Sequence, residues 1–325
     1  MNKKERNRYI KSLPYDSIIF KPIQEALESS QPLFDSMVDN WLKNHNNDIS
    51  SYFDKKKEEI KNNSIIGFVA FSGDQPVGLC WLDAPQPNYG SILLYAPLKE
   101  HQAVLAVKMV RSKILAGRTV EIISVFNPSE YIKGFLGMGF KEKYRKRMGL
   151  YKEEFLGAGD IPLHVELIPI TKEHSEIIGN ISYLAHCQRN DVEGYIDYAT
   201  SQSCINHKKR ILDNEFGKFI PKSSLLLKYH EKPVACCISV DINYWGLESM
   251  AWIFDIVVLP EYQGYGFGKV LLQQVLKNTF EHNYPMIGLS VTVSNERAKV
   301  FYEKTGFVTY EDYHEIISPD VLKGG

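Results

Sequence analysis

Gln263-Gly264-Tyr265-Gly266-Phe267-Gly268-Lys269 has the types and spacing of a phosphate-binding turn. The apolar run Val257-Val258-Leu259 leads into it, and Val270-Leu271-Leu272 opens an amphipathic helix behind it. Glycines let successive backbone N–H groups point the same way and approach a ligand closely. The new helix adds unpaired amides and the positive end of its dipole. Together these make an anion site suited to a pyrophosphate. Two nucleotide fingerprints do not fit. The pattern G-x-G-x-x-G meets Lys269 where its third glycine should follow Gly264 and Gly266, and a P-loop would need Ser or Thr at Val270.

Further along stands a second dense block, Asn295-Glu296-Arg297-Ala298-Lys299-Val300-Phe301-Tyr302-Glu303-Lys304-Thr305-Gly306-Phe307. Elsewhere the run Lys141–Arg147 is basic, but Tyr144 breaks it and Glu142 dilutes it, so it reads as the solvent face of a strand. His186 and Cys187 are adjacent at a helix end, and without a third ligand they suggest no metal.

The elements that must position these residues follow from periodicity. Residues 1–64 are charged and helix-compatible, notably over 33–44 and 52–61. A hairpin follows, 65–72 and 77–83, turning at Gly73-Asp74-Gln75-Pro76. Next come a strand over 91–96, a helix over 102–115, a strand over 119–126 and a short helix ending at Gly137-Met138-Gly139-Phe140. Gly157-Ala158-Gly159-Asp160-Ile161-Pro162 reads as a linker. The order then begins again: a strand at 163–169, helices over 172–187 and 201–215, and a hairpin of 225–230 and 234–241. A strand at 251–259, the glycine turn, a helix over 269–280, a strand at 286–293 and a helix over 296–305 complete it. Pro76-Val77 and Pro233-Val234 are 233 − 76 = 157 residues apart, while Gly139-Phe140 and Gly306-Phe307 are 306 − 139 = 167 apart. Two anchors and a shared order point to a diverged tandem duplication, with extra residues in the half that keeps a phosphate turn. The division expected is 1–158 and 159–325.

Composition bounds the rest. With 325 residues either half can bury its own core, and 44% apolar with 24% charged residues is ordinary for a globular protein. A formal charge of −1 gives no support for nucleic-acid or membrane affinity. The five cysteines are odd in number with no CxxC spacing, and Cys236-Cys237 sit in an apolar run as small hydrophobes. A reducing cytoplasm suits them. The basic N-terminus lacks a signal peptide's apolar stretch, and no segment is apolar for long enough to span a bilayer.

The C-terminal half resembles the GNAT superfamily of N-acetyltransferases over roughly 163–325. Gln263-x-x-Gly266-x-Gly268 matches that family's (Arg/Gln)-x-x-Gly-x-(Gly/Ala) turn, which cradles the coenzyme A pyrophosphate. The block Asn295–Phe307 is similar to the family's N-x-x-A…Y-x-x-x-G-F closing segment. The resemblance implies an α/β (α+β) fold of two GNAT-like domains, each a mixed, mostly antiparallel sheet flanked by helices. It implies acetyl-CoA as cosubstrate, with residues 263–269 on the pyrophosphate and the backbone of Ile256, Val257 and Val258 on the pantetheine arm. Asn295 would bond the arm, and Tyr302 would protonate the departing thiolate.

An alkyl ammonium titrates near 10 and must lose a proton before it attacks. Asp255, which interrupts the apolar run 252–258, is the leading candidate for the base, and Glu248 the second. The family often places its base where Trp252 stands here. The loop after the first helix of a GNAT domain forms a lip of the acceptor site. In this chain that loop carries Asp191, Glu193, Tyr195 and Asp197, which would suit a small cationic amine by charge and cation–π contact, or is a solvated acidic loop. In the N-terminal half Pro97–His101 holds no glycine, Tyr302 maps to Phe135 and Asn295 to Pro128. That half reads as a degenerate domain serving as scaffold. The tandem plan resembles mycothiol synthase and the two-domain acetyltransferases that modify a producer's own aminated antibiotics. Two functions stay open: an enzyme acetylating a primary amine of a small metabolite, or a catalytically silent coenzyme-A-binding or scaffold protein. No metal, nucleic acid or membrane partner is expected, and oligomeric state is left open.

Overall fold

A computed structural model describes residues 2–45, 50–84, 86, 88–124, 126–187, 193, 195–244 and 247–321. The chain forms two compact units, one of residues 1–143 with 313–325 and the other of residues 144–312.

The first unit opens with α1 (Lys3–Ser12), closed by a capping box in which Asn2 and Glu5 satisfy each other's backbone N–H. Then follow β1 (Ile19–Pro22), α2 (Gln31–His45), α3 (Ser50–Lys61), β2 (Ile66–Ser72), β3 (Gln75–Asp83), β4 (Tyr89–Tyr95), α4 (Lys99–Arg111), β5 (Thr119–Ser124), α5 (Ser129–Gly137) and the start of β6 (Lys141–Tyr151). Strands β1 to β5 are neighbours in chain order, antiparallel except for parallel β4 and β5. Alternation along β2, β3 and β4 sorts the core into two layers. Val69, Leu79, Trp81, Leu93 and Tyr95 pack with Phe34, Met37, Phe53 and Ile60 of α2 and α3. Ala70, Cys80, Leu82, Ile92 and Leu94 pack with Leu105, Met109, Tyr131 and Phe135 of α4 and α5.

The second unit holds the rest of β6, then β7 (Val165–Pro169), α6 (Ser175–His186), α7 (Ser201–Leu212), β8 (Lys218–Phe219), β9 (Leu225–Tyr229), β10 (Lys232–Tyr244) and β11 (Leu247–Val258). It continues through α8 (Phe267–Glu281), β12 (Met286–Thr292), α9 (Glu296–Lys304) and the start of β13 (Val308–Ile317). Its strands run in the order β6, β12, β11, β10, β9, β7, with short β8 on β10, and β11 with β12 is the parallel pair. The order hairpin, strand, helix, parallel strand, helix, strand thus occurs in both units. Helix α9 starts 296 − 129 = 167 residues after α5, the offset read from the closing Gly-Phe pairs.

The compact units do not divide at the expected linker. Arg145–Tyr151 of β6 pair with Met286–Thr292 of β12, so Met148 and Leu150 lie in the second unit's core. In return His314–Ile317 of β13 pair with Thr119–Ile122 of β5, and Ile316 joins the first unit's core. Each half has given its last strand to the other's sheet. The basic run 141–147 is a strand, but not a solvated one throughout: Lys143 and Arg147 are buried, and Arg147 meets Glu311 at 3.2 Å and lies over Tyr244. All five cysteines are free thiols, and Cys236 and Cys237 are fully buried. No described helix is long and apolar enough to cross a membrane.

Residues upstream of the linker should therefore control the stability of the second unit. Leu150→Ala should cost that unit about 2–5 kcal/mol, as a buried leucine in a closed core does. A fragment spanning 159–325 should be less stable and less soluble than one spanning 144–325, because β12 would keep an unpaired edge. Chemical denaturation of the variant and of the two fragments checks both, and equal midpoints would contradict the exchanged-strand core.

Candidate active site

Strand β11 is paired unequally along its length. Ala251, Trp252 and Ile253 match Ile287, Gly288 and Leu289 of β12, and beyond Ile253 β11 keeps only its β10 neighbour, through Val258. A bulge at Phe254 shifts the β10 register between Ile253 and Asp255 and helps the strands part. In the first unit the corresponding strands stay zipped through six consecutive pairs, from Tyr89 with Thr119 to Leu94 with Ser124. There the Ala96 N–H donates to the Tyr131 hydroxyl at 2.9 Å, and Gln102 Nε2 donates to the Ala96 carbonyl at 3.1 Å. Side chains of that unit fill what the second unit leaves open.

The open strand leads into the glycine turn. Gly264 and Gly266 have φ of 91° and 84°, a left-handed conformation that strains any residue with a Cβ. A Cβ at either would meet nothing within 4 Å, so the space beside the turn is free. The backbone amides of 264–268 find no acceptor among the described residues, whereas the following amide of Lys269 bonds back to Gly266. Five donors without an acceptor thus stand beside a fresh helix end, the arrangement an anion site uses.

The second motif block closes on the first. Arg297 donates to Gln263 Oε1 at 2.7 Å, while Gln263 Nε2 donates to the Val258 carbonyl at 3.1 Å. A Cβ on Gly268 would lie 4.0 Å from the Phe301 ring. Asn295 is the N-cap of α9, its Oδ1 accepting from the Ala298 N–H at 3.3 Å, so this oxygen is committed to the helix. Tyr302 is buried on α9 with its ring against Phe301 and Phe307. Lys269 is exposed on the first turn of α8, and Tyr265 is the exposed aromatic of the turn, packed on Phe267.

Asp255 is not the expected proton acceptor. Its Oδ2 accepts from Lys208 Nζ at 2.5 Å and from the Ser182 hydroxyl at 2.6 Å, and its Oδ1 lies 3.3 Å from His186 Nε2. Burial alone would raise its pKa, but the adjacent Lys208 charge more than reverses this and holds the carboxyl well below the usual range. A carboxylate so firmly ionised and so fully engaged is a poor base. Glu248 lies in β11, but its side chain is outside the described residues.

The acceptor lip is less acidic in effect than in composition. Asp191 lies outside the described residues and Glu193 is exposed. The Tyr195 hydroxyl accepts from Arg145 at 2.6 Å, and Asp197 stands 3.7 Å from the Arg210 guanidinium. Both are engaged by cations of this chain. The sequence reading missed Lys208, Ser182, His186 and Arg297 as parts of the site. Lys208 did leave a trace: in α7 it falls on the stripe of Cys204, Ile205, Ile211 and Leu212, where a lone lysine must find a counter-charge. No cluster of His, Cys, Asp and Glu able to hold a metal is found among the described residues.

Residues 193–307 match the acetyltransferase (GNAT) family. The curated relatives are similar over parts of their length. A stretch of 57 residues is 44% identical to the [ribosomal protein bS18]-alanine N-acetyltransferase of Haemophilus influenzae, covering 18% of this chain and 38% of that one. A stretch of 103 residues is 30% identical to the spermidine N(1)-acetyltransferase of Vibrio cholerae, covering 31% and 55%. The chain thus spans about half or less of these relatives. Among solved structures, a GCN5-related N-acetyltransferase from Sphaerobacter thermophilus superposes with a TM-score of 0.56 at 15% identity, covering 94% of this chain and 96% of its own. The fold is the GNAT fold. A conserved protein from Staphylococcus epidermidis has a TM-score of 0.53 at 12% identity, over 74% of this chain and 90% of its own.

A buried imidazole makes the stability of the second unit depend on pH. Burial, with Lys208 beside it, pulls the His207 imidazole down to about 3. The unfolded chain binds a proton near 6.5 that the folded one refuses, so His207's contribution is complete above that pH and falls as the pH drops toward 3. Urea unfolding of the second unit should lose about 1–2 kcal/mol between pH 7 and 5. His207→Gln should flatten that slope; an unchanged slope would mean that His207 protonates freely in the fold.

Proposed function

We propose that this chain is an N-acetyltransferase that moves the acetyl group of acetyl-CoA to a primary amine, with its working site in the second unit. The observation that carries this is the parted segment of β11 running directly into five unbonded amides, inside the stretch that matches the GNAT family. The residues fit the cosubstrate. Amides of 264–268 with Lys269 and Arg297 would take the pyrophosphate, and the free edge of 256–258 would pair with the amide-bearing pantetheine arm as a further strand would. Tyr302, a short step from Phe301 and the turn, would supply a proton to the leaving sulfur. Asn295 would contribute by fixing the start of α9.

Residues 1–158 are, in this reading, a degenerate GNAT-like domain that arose with 159–325 by duplication. In support, its strands stay paired and Tyr131 meets the Ala96 amide, contacts that a pantetheine arm would otherwise make. We propose a small cationic metabolite as acceptor, an aminated antibiotic being one chemistry of that class, in a cytoplasmic enzyme without metal. The match to a spermidine acetyltransferase supports a cationic amine. In this reading Asp191, Glu193 and Tyr195 bind the acceptor, with the Tyr195 hydroxyl held by Arg145 and Asp197 beside Arg210.

Calorimetry should give one acetyl-CoA per chain. Gly266→Glu should weaken binding about 10–100-fold, because it combines left-handed strain with a negative charge at an anion site; undiminished affinity would remove the site. Tyr302→Phe should leave acetyl-CoA affinity near that of the parent and lower kcat about 10²–10⁴-fold. Stopped-flow thiol release, which isolates the chemical step, measures it, and an unchanged rate would sink the assigned role.

A further inference from the structure

We infer that His186 is the base that takes the proton from the acceptor amine, and that Asp255 is the positioning residue that holds its ring. The inference rests on the acetyl-transfer reading above and deepens it.

The geometry is that of a carboxylate–imidazole dyad. His186 ends α6, and its Nε2 is 3.3 Å from Asp255 Oδ1. An ionised carboxylate only accepts, so Nε2 carries a proton, and in the neutral imidazole the lone pair is then on Nδ1. That Nδ1 is buried and has no hydrogen-bond partner among the described residues. Buried ring nitrogens are ordinarily paired, and an orphan beside a binding strand is suited to a group that comes and goes. The ring is otherwise fully fixed. Tyr198 stands across it at 4.8 Å between centroids, and Asp255 is itself clamped by Lys208 and Ser182.

Besides Ser182 of α6, the groups that interact with this dyad's carboxylate are Lys208, His207 and the Cys204 thiol from α7, the Tyr198 hydroxyl from the turn 196–198, and the Cys236 and Cys237 thiols from β10. Lys208 is the counter-charge of Asp255, so the carboxylate is satisfied without a charged imidazole. Asp255 belongs to the part of β11 that has left β12, the segment proposed to bind the pantetheine arm, and His186 is its side-chain partner. His207 also has an unpartnered Nδ1, but its ring is boxed by Phe216, Phe254 and Tyr198, and Asp197 is 4.0 Å from its other nitrogen. It has no orienting hydrogen bond.

In the step so assigned, an ammonium gives one proton to His186 Nδ1. The freed nitrogen forms the C–N bond to the acetyl carbon, the C–S bond breaks, and sulfur leaves as thiol through Tyr302 while the nitrogen sheds a second proton to that tyrosine. The proton on His186 returns to solvent. Ammonium and thioester become amide, thiol and one proton.

The test has three readouts on the full chain. Nitrogen-15 spectra of the imidazoles, assigned with His186→Gln, should show the proton on Nε2; a proton on Nδ1 would overturn the proposal without any acceptor being known. Thiol release from acetyl-CoA is then followed with spermidine and with an N-terminal-alanine peptide as probes. His186→Gln should lower kcat about 10²-fold or more with little change in the KM for acetyl-CoA, and should remove the acidic limb of the kcat profile. In His186→Ala, added imidazole should restore part of the rate. Equal kcat in parent and variant, with both folded by circular dichroism, would overturn the role of His186 alone. Failure of the parent to bind acetyl-CoA in calorimetry would instead overturn the acetyl-transfer reading.

Discussion

Beyond Ile253, strand β11 has a hydrogen-bonding neighbour on one side only, and the active-site geometry depends on that parting. An unpaired strand edge inside a folded unit is costly unless something completes it. Here the bulge at Phe254 and the left-handed glycines after the strand keep the gap open and point amides toward it. The first unit makes the contrast from within the same chain. Its strands remain paired, and the one amide at the exit, that of Ala96, is met by Tyr131. The two units thus differ by a few backbone hydrogen bonds, which the chain itself makes in the first and leaves open among the described residues of the second.

The parted strand also needs a rigid back wall. Asp255 faces α6 and α7, where Lys208, Ser182 and His186 converge on one carboxylate. A buried ion pair adds little net stability over apolar residues of similar shape, but losing one partner leaves a costly unpaired charge. Such a pair fixes position. It ties two helices to the strand at the level where the cosubstrate would lie, and it orients an imidazole whose second nitrogen is left unsatisfied. The same carboxylate that a proton-transfer role would require to be free is used to hold its neighbour.

Exchange of the last strands gives each core a segment from the far side of the linker. Leu150 lies under Gly306, where a Cβ would come within 3.2 Å of it, and Ile316 completes the opposite core. The residues that close the core of the second unit therefore come from both sequence halves. Neither core is complete in a contiguous half of the chain.

What the sequence by itself determined was local. The glycine turn, its flanking strand and helix and the alternation of the two hairpins are encoded by neighbours a few residues apart, and all appear where spacing puts them. The 167-residue offset between the closing helices was legible for the same reason. The tertiary structure alone decided the strand exchange, since hydrogen-bond register between β6 and β12 leaves no periodic mark on either segment. It alone decided the fate of Asp255, because a carboxylate in an apolar run reads identically whether its partner is an incoming amine or a lysine 47 residues earlier. Charge and burial combine only in space, where the nearest counter-ion settles whether a carboxylate is a base or a brace.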